Sequence, residues 1–185
     1  MRVIAGEWRG RRLCPPGCDG LRPTSDKLRE TLFNVVAARI AGARVLDAYA
    51  GTGAVGIEAM SRGASHVTFV EQDVRAIRLI EQNLAACRAS EETPHRYTVV
   101  RADVTKGLTV GPGDITLAFL DPPYADLDIT AALMSVRAAI TSDGLAVLEQ
   151  AARVSLDLPE GWQATRTLVS GDSILTFLQP TSPTV

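Results

Sequence analysis

The chain predicts a doubly wound α/β sheet, and three observations carry that prediction. Between Ala43 and Glu149, strand-like apolar runs alternate with amphipathic helical stretches, the pattern of a parallel sheet covered on both faces. The first strand of the series runs into a glycine-rich turn, Gly51-Thr52-Gly53-Ala54-Val55-Gly56, where a Rossmann-like sheet receives a ligand. Beyond the fifth strand the alternation stops. Two strand-like runs then flank Gly171-Asp172, which predicts a closing antiparallel hairpin near one edge.

Taken in order, residues 1–14 alternate loosely around Gly6 and Gly10 and predict a short hairpin or extended arm. Pro15-Pro16-Gly17 and Asp19-Gly20 mark a loop, and Arg22-Pro23 keeps the chain extended. Thr24 or Ser25 then suits the N-cap of a helix with Asp26 in its first turn and Leu28, Leu32, Val35, Val36 and Ile40 on one face, ended by Gly42. The sheet strands are predicted at residues 44–49, 66–71, 96–100, 114–120 and 144–149. Helices fill residues 53–62, 73–88 and 129–140, the second capped by Asp73 with Val74, Ile77, Ile80 and Leu84 facing inward. The hairpin strands are expected at 162–169 and 173–178, and residues 180–185 read as a frayed tail. The predicted organisation is a basic arm over 1–23, a Rossmann-like body over 24–180 and a tail over 181–185.

Composition narrows the function classes. The 185 residues suffice for one domain with a short appendage. No apolar run reaches the length of a membrane span and the first residues do not form a signal peptide, so a cytoplasmic protein is expected, most simply a monomer. Cys14, Cys18 and Cys87 lack the neighbouring ligands of a metal site; free thiols and no metal are expected. Charge is uneven: residues 1–44 hold nine basic against four acidic side chains, and the remainder ten basic against 17 acidic. A basic end on an acidic body fits a polyanionic partner, although a solvated charged terminus accounts for it equally.

The chemistry-bearing residues cluster at predicted strand ends. Gly51 and Gly53 let the backbone approach a ligand, and Glu71, twenty residues on, can accept from ribose hydroxyls. The pair indicates an adenosine-containing cofactor. Asp47 discriminates further, because a carboxylate before this loop repels a pyrophosphate but binds an ammonium. That favours S-adenosylmethionine over NAD. Asp103 could meet the adenine amino group or simply cap a helical turn. Asp121-Pro122-Pro123-Tyr124 closes the fourth strand. Its prolines stiffen the chain where acceptors and an aromatic face are presented, which suits a planar amine such as a nucleobase.

On these residues the chain resembles the class I S-adenosylmethionine methyltransferases, whose amino-methylating branch carries Asp/Asn-Pro-Pro-Tyr. The wider pattern is similar to the RsmD family, the 16S ribosomal RNA guanine-N2 methyltransferases. It comprises Met1-Arg2-Val3-Ile4-Ala5-Gly6-Glu7-Trp8-Arg9-Gly10, Arg22-Pro23-Thr24-x-Asp26-x-x-Arg29-Glu30-Thr31-Leu32-Phe33-Asn34 and Val45-Leu46-Asp47-x-x-x-Gly51-x-Gly53-Ala54-x-Gly56. The resemblance implies that Asp121 and the Pro122 carbonyl bind the exocyclic amine of an unstacked guanine while Tyr124 stacks on it. It implies that Thr24, Arg29 and Arg22 lie near the cofactor's methionine end or the target pocket. The substrate it suggests is 16S rRNA within an assembled or assembling 30S subunit. Arg9, Arg11, Arg12 and Arg22 would contact RNA phosphates. Trp8 is open to two roles, stacking on a base or anchoring the hairpin.

Three rivals remain at this level. An adenine-N6 or cytosine-N4 DNA methyltransferase shares the tetrapeptide, but the chain has no room for a target-recognition domain. An NAD-dependent oxidoreductase shares the glycine pattern, but Asp47 and the proline-rich motif oppose it. A non-catalytic RNA-binding protein would have no need of Asp121 and the glycines together.

Overall fold

A computed structural model describes residues 1–15, 26–111, 113–123, 128–152 and 157–181. The helices are α1 (Asp26–Val35), α2 (Ala37–Ile40), α3 (Ala54–Ser61), α4 (Val74–Ala86), α5 (Ala89–Glu92) and α6 (Ile129–Ala139). The strands are β1 (Arg44–Ala48), β2 (His66–Glu71), β3 (Tyr97–Arg101), β4 (Ile115–Leu120), β5 (Ile140–Ala151), β6 (Trp162–Ser170) and β7 (Ser173–Pro180).

They form one seven-stranded sheet in the order β3-β2-β1-β4-β5-β7-β6. The first five strands are parallel; β7 runs antiparallel to both β5 and β6. The predicted hairpin is therefore present, with its second strand inserted beside β5 and its first strand on the edge. Strand order reverses between β1 and β4, and the crevice outside their carboxyl ends is where open α/β sheets hold ligands.

Strand alternation sends successive side chains to opposite faces. Val45, Leu117, Phe119, Val147 and Phe177 join a core with Phe33 of α1 and Ile57 of α3. Leu46, Ala118, Leu120 and Leu148 join another with Leu133 and Val136 of α6, closed by Trp162. The first core also takes Val3, Trp8 and Leu13. The described part of the arm is thus built into the body of the fold rather than appended to it. It is a hairpin, as expected: Val3 N donates to Arg11 O at 3.0 Å and Leu13 N to Met1 O at 3.2 Å.

Four expectations need correction. The first helix breaks at Val36, between α1 and α2, where two adjacent β-branched residues lower helix propensity. Val74 is exposed, and the inward face of α4 is Ala76, Ile80, Asn83 and Leu84. β5 begins at Ile140, directly after α6, because Ile115 of β4 pairs with Ile140 ahead of a register shift. The tail starts later than residue 180: Pro180 lies in β7, and Thr181 N donates to Gly161 O at 2.9 Å while Thr181 O accepts from Arg137 Nη2 at 3.0 Å. Thr24, Ser25 and residues 182–185 lie outside the described residues. No helix among those described is long and apolar enough to cross a membrane.

Candidate functional site

The turn after β1 is built from unusual backbone. Tyr49 has φ 63°, Gly51 φ 54° and Gly53 φ 73°. Glycine adopts such angles freely, whereas a non-glycine residue there stores strain of about 1–3 kcal/mol. Strain of that kind at Tyr49 marks a segment whose path is fixed by more than its own preference. Gly56 is required for another reason. A Cβ there would lie 2.2 Å from Phe69 Cε1, so α3 could not pack this close to β2.

Asp47 is the penultimate residue of β1 and is 4% exposed. Its Oδ2 accepts from Gly56 N in the first turn of α3 at 2.8 Å, a favourable place for an acid at a helix N-terminus. Burial nevertheless pushes its carboxyl up to about 8; the Gly56 bond opposes this, and the charges of Asp121 and Glu71 add to it. A buried carboxyl pressed by two other acids is a place for a cation.

Glu71, at the end of β2, clasps the same turn. Its Oε2 accepts from Gly51 N at 2.9 Å, and its Oε1 from Gln72 N at 2.8 Å and Asp73 N at 2.9 Å. A carboxylate offers about four lone-pair directions, so these three bonds leave one on Oε2. A ribose hydroxyl fits that direction; a second would have to displace a backbone amide. Asp103 follows β3 and accepts from Thr105 N at 3.0 Å and Thr105 Oγ1 at 2.7 Å, which holds its carboxyl below the usual range. The capping role anticipated for it is realised, and Lys106 pairs with it at 3.4 Å.

Asp121 follows β4 and is half-buried, and Pro122 is buried. In register, Leu120 pairs with Ala48 of β1 and Leu148 of β5. Asp121 and Glu149 are therefore neighbours at the strand ends. Glu149 is buried, and its Oε1 accepts from Ser173 Oγ at 2.9 Å. Tyr124 lies outside the described residues, as do Arg22 and Cys18. The strand ends thus bring Asp47, Glu71 and Asp121 together around the β1/β4 crevice.

The arm is held by side chains that sequence reasoning missed. Glu58, in α3 and 1% exposed, accepts from Ile4 N at 2.7 Å, Ala5 N at 2.9 Å and Arg62 Nε at 2.7 Å. Ser61 Oγ accepts from Trp8 N at 2.9 Å and donates to Ala5 O at 2.6 Å. Gly6, at φ 83°, passes so close that a Cβ would lie 1.9 Å from Ser61 O. Asn83, fully buried in α4, bonds Cys14 and Thr52. An acid within the otherwise apolar α3 sequence, and an Asn on the apolar face of α4, were the signals available.

The predicted basic contacts separate. Arg9 and Arg12 are exposed. Arg11 is half-buried, and its Nη1 donates to Cys87 O at the end of α4. Arg29 is fully buried; its Nη2 donates to Arg2 O at 2.7 Å and to Asp26 Oδ1 at 2.9 Å, beneath the arm. Trp8 is 1% exposed, which settles its role as hairpin anchor. Burial raises the Cys87 thiol to about 11, consistent with a packed residue. The His66 ring bonds His95 O and Thr98 Oγ1. A cleft of about 530 Å³ lies beside the arm, bordered by Arg2, Arg9, Lys27, Glu30, Asn34 and Arg62. Its lining does not include Asp47, Glu71 or Asp121.

Comparison with known proteins gives one consistent result. The family described as "Conserved hypothetical protein 95" matches residues 1–179. Ribosomal RNA small subunit methyltransferase D of Escherichia coli K12 is 35% identical over 174 residues, covering 92% of this chain and 85% of that protein. Its namesake in Haemophilus influenzae is 40% identical over 124 residues, 67% of this chain and 64% of its own. Among solved structures, Escherichia coli yhhF superposes with a TM-score of 0.83 at 30% identity, covering 97% of each chain. TrmN from Thermus thermophilus, at 22% identity, shares the fold with a TM-score of 0.67 over 83% of this chain and 48% of its own.

Proposed function

We propose, from the premise that the chain belongs to the RsmD family and is an S-adenosylmethionine-dependent methyltransferase, that it methylates the exocyclic N2 amine of a guanine in 16S rRNA. The observation that supports the methyl-donor half of this reading is the buried Asp47 carboxyl pressed by Asp121 and Glu71 at the switch point; the rRNA half rests on the kinship with ribosomal RNA small subunit methyltransferase D. An ammonium there would relieve the crowding of acids, and the N–H groups of a neutral amine beside Asp121 would hydrogen-bond the outer carboxylate.

Asp47 would hold the ammonium of the cofactor's amino-acid end, directly or through water. Glu71 would accept one ribose hydroxyl while keeping its bond to Gly51. Asp103 would meet the adenine amino group with lone pairs not used on Thr105. The Gly51–Gly53 backbone leaves room for close approach. S-adenosylmethionine supplies a methyl on a positively charged sulfur that leaves as a neutral thioether.

Asp121 and the Pro122 carbonyl would accept the two N2 hydrogens of the base. Holding both hydrogens aims the nitrogen lone pair away from the acceptors, and this positioning is the main catalytic contribution. The guanine must be unstacked to reach them, and Tyr124 would cover its face. As the N–C bond forms the nitrogen becomes cationic, and its proton passes to Asp121 or to water. No stronger base is needed.

Arg9 and Arg12 would contact RNA phosphates together with the basic border of the adjoining cleft, positioning the RNA without reading its sequence. A 30S particle or its assembly intermediate supplies the extended surface that a chain of this size cannot read alone. The test is methyl transfer from labelled S-adenosylmethionine to 16S rRNA and to 30S particles, followed by nucleoside analysis. N2-methylguanosine is expected; N6-methyladenosine or N4-methylcytidine overturns the guanine assignment, and no transfer to either RNA overturns the reading.

A further inference from the structure

We propose that Asn83 is a positioning residue that couples the arm to the cofactor turn, so that RNA and cofactor bind with positive cooperativity. The proposal rests on the methyltransferase reading above and assigns a role to a side chain which that reading does not use.

Asn83 lies on the inward face of α4, fully buried among apolar neighbours. Its Oδ1 accepts from Cys14 N at 2.7 Å. Its Nδ2 donates to Thr52 O at 2.9 Å and to Cys14 O at 3.3 Å. The orientation of the carboxamide is fixed by chemistry: a backbone N–H can only donate and a backbone carbonyl can only accept. One rigid planar group therefore holds the end of the arm and the centre of the Gly51-Thr52-Gly53 turn at once. Thr52 also faces the arm, with its Oγ1 4.0 Å from Met1 Sδ.

The other arm contacts differ in kind. Glu58 and Ser61 grip residues 4–8 from the middle and end of α3. Neither touches the turn. A bulky apolar residue at position 83 would fill the same space but leave Thr52 O and both Cys14 groups without these partners. The carboxamide makes the position of the turn depend on the position of the arm. Fixing either by a ligand then lowers the ordering cost of fixing the other, which is positive coupling without a change of fold.

Asn83→Asp breaks the link to the turn and keeps the shorter of the two bonds to the arm. It retains an acceptor for Cys14 N, but replaces the donor to Thr52 O, and the longer one to Cys14 O, with an oxygen that repels both carbonyls. The measurement is the dissociation constant of S-adenosylhomocysteine, with and without saturating 16S rRNA. In the wild type, rRNA should tighten S-adenosylhomocysteine by about fivefold or more, and S-adenosylhomocysteine should tighten rRNA by the same factor. In Asn83→Asp that factor should fall towards one while rRNA still binds. Ser61→Ala, which loosens the arm elsewhere, should keep it.

A wild-type factor of one, a factor that survives in Asn83→Asp, or an equal collapse in Ser61→Ala overturns the coupling. Wild-type protein that binds no S-adenosylhomocysteine is a separate result, and removes the methyltransferase reading together with the coupling. Should the aspartate variant not fold, amide exchange in the wild type decides. S-adenosylhomocysteine should slow the Val3 and Leu13 amides, which lie in the hairpin and not in the cofactor turn. Unchanged rates overturn the proposal.

Discussion

Two buried carboxyls bond at helix α3, and they are treated in opposite ways. Glu58, in the middle of the helix, receives three donors: two arm amides and the Arg62 guanidinium. Asp47, from β1, accepts from Gly56 in the first turn of the helix and is pressed by two further acids. A carboxylate whose lone pairs are filled from within the chain is a fastening. One that is buried, crowded by like charge and driven towards protonation is a site waiting for a cation. The difference separates the part of the molecule that holds the arm from the part that does chemistry, and each half can be broken separately.

The largest effect is expected at the chemical end. Asp121→Ala should lower methyl transfer by at least about 10²-fold and leave S-adenosylmethionine affinity within a few-fold of wild type. Single-turnover transfer to rRNA, set beside calorimetric cofactor binding, makes the check; retained turnover would remove Asp121 from the reaction.

At the fastening end, Glu58→Ala should destabilise the fold by about 3–5 kcal/mol, because it strands Arg62 and two arm amides together. Denaturant unfolding measures this. A loss below 1 kcal/mol would mean that Glu58 is not a principal fastening and that the apolar residues Val3, Trp8 and Leu13, with the Ser61 and Asn83 bonds, hold the arm without it.

How much of this contrast could be read from the chain depends on the kind of signal. The parallel strands were legible because β-branched and aromatic runs alternate with helical periodicity, and the strand-end acids because they follow those runs directly. Asp47, Glu71 and Asp121 needed no tertiary knowledge beyond the sheet's carboxyl edge. Glu58, Ser61 and Asn83 were not legible in the same way. Their partners are backbone groups of residues 4–14 and 52, far along the chain, and nothing in local composition records a backbone partner. The same limit hid the partners of Arg11 and Arg29. Arg11 was expected on RNA phosphates and Arg29 near the cofactor or the target pocket; both donate to main-chain carbonyls that only the fold brings near. Val74 failed for another reason: helical spacing identifies a face, but not where the neighbouring element stops covering it.

Asp47 gives a pH test of the contrast. Its folded-state value of about 8 stands above the ordinary 3.8. Between these values the folded chain holds a proton that the unfolded chain has lost. The contribution of Asp47 to stability is therefore fully present below about pH 4, declines as pH rises, and is gone above about pH 8. Asp47→Asn should flatten this part of the slope in the ligand-free protein, seen in melting temperatures from pH 5 to 8.5. Cofactor binding should run the other way. An ammonium stabilises the charged form, so binding near pH 7 should release a proton, detectable as a buffer-dependent binding enthalpy. A buffer-independent enthalpy would deny Asp47 its cation.

The smallest effect sharpens the comparison within the arm itself. Arg9 and Arg12 point outward, whereas Arg11 is tied to Cys87 O. If outward arginines meet phosphates, the double variant Arg9→Ala/Arg12→Ala should reduce the salt dependence of RNA binding. Each lost phosphate contact flattens the logarithmic slope by about 0.7 for single-stranded RNA, so the pair should change it by about 1.4. Arg11→Ala should leave that slope unaltered and instead lower the melting temperature, since it frees the carbonyl that ends α4. The three arginines carry the same charge within four residues of sequence. A slope that responds to Arg11 as strongly as to the other two would show that charge alone, and not the direction imposed by the hairpin, decides which of them touches RNA.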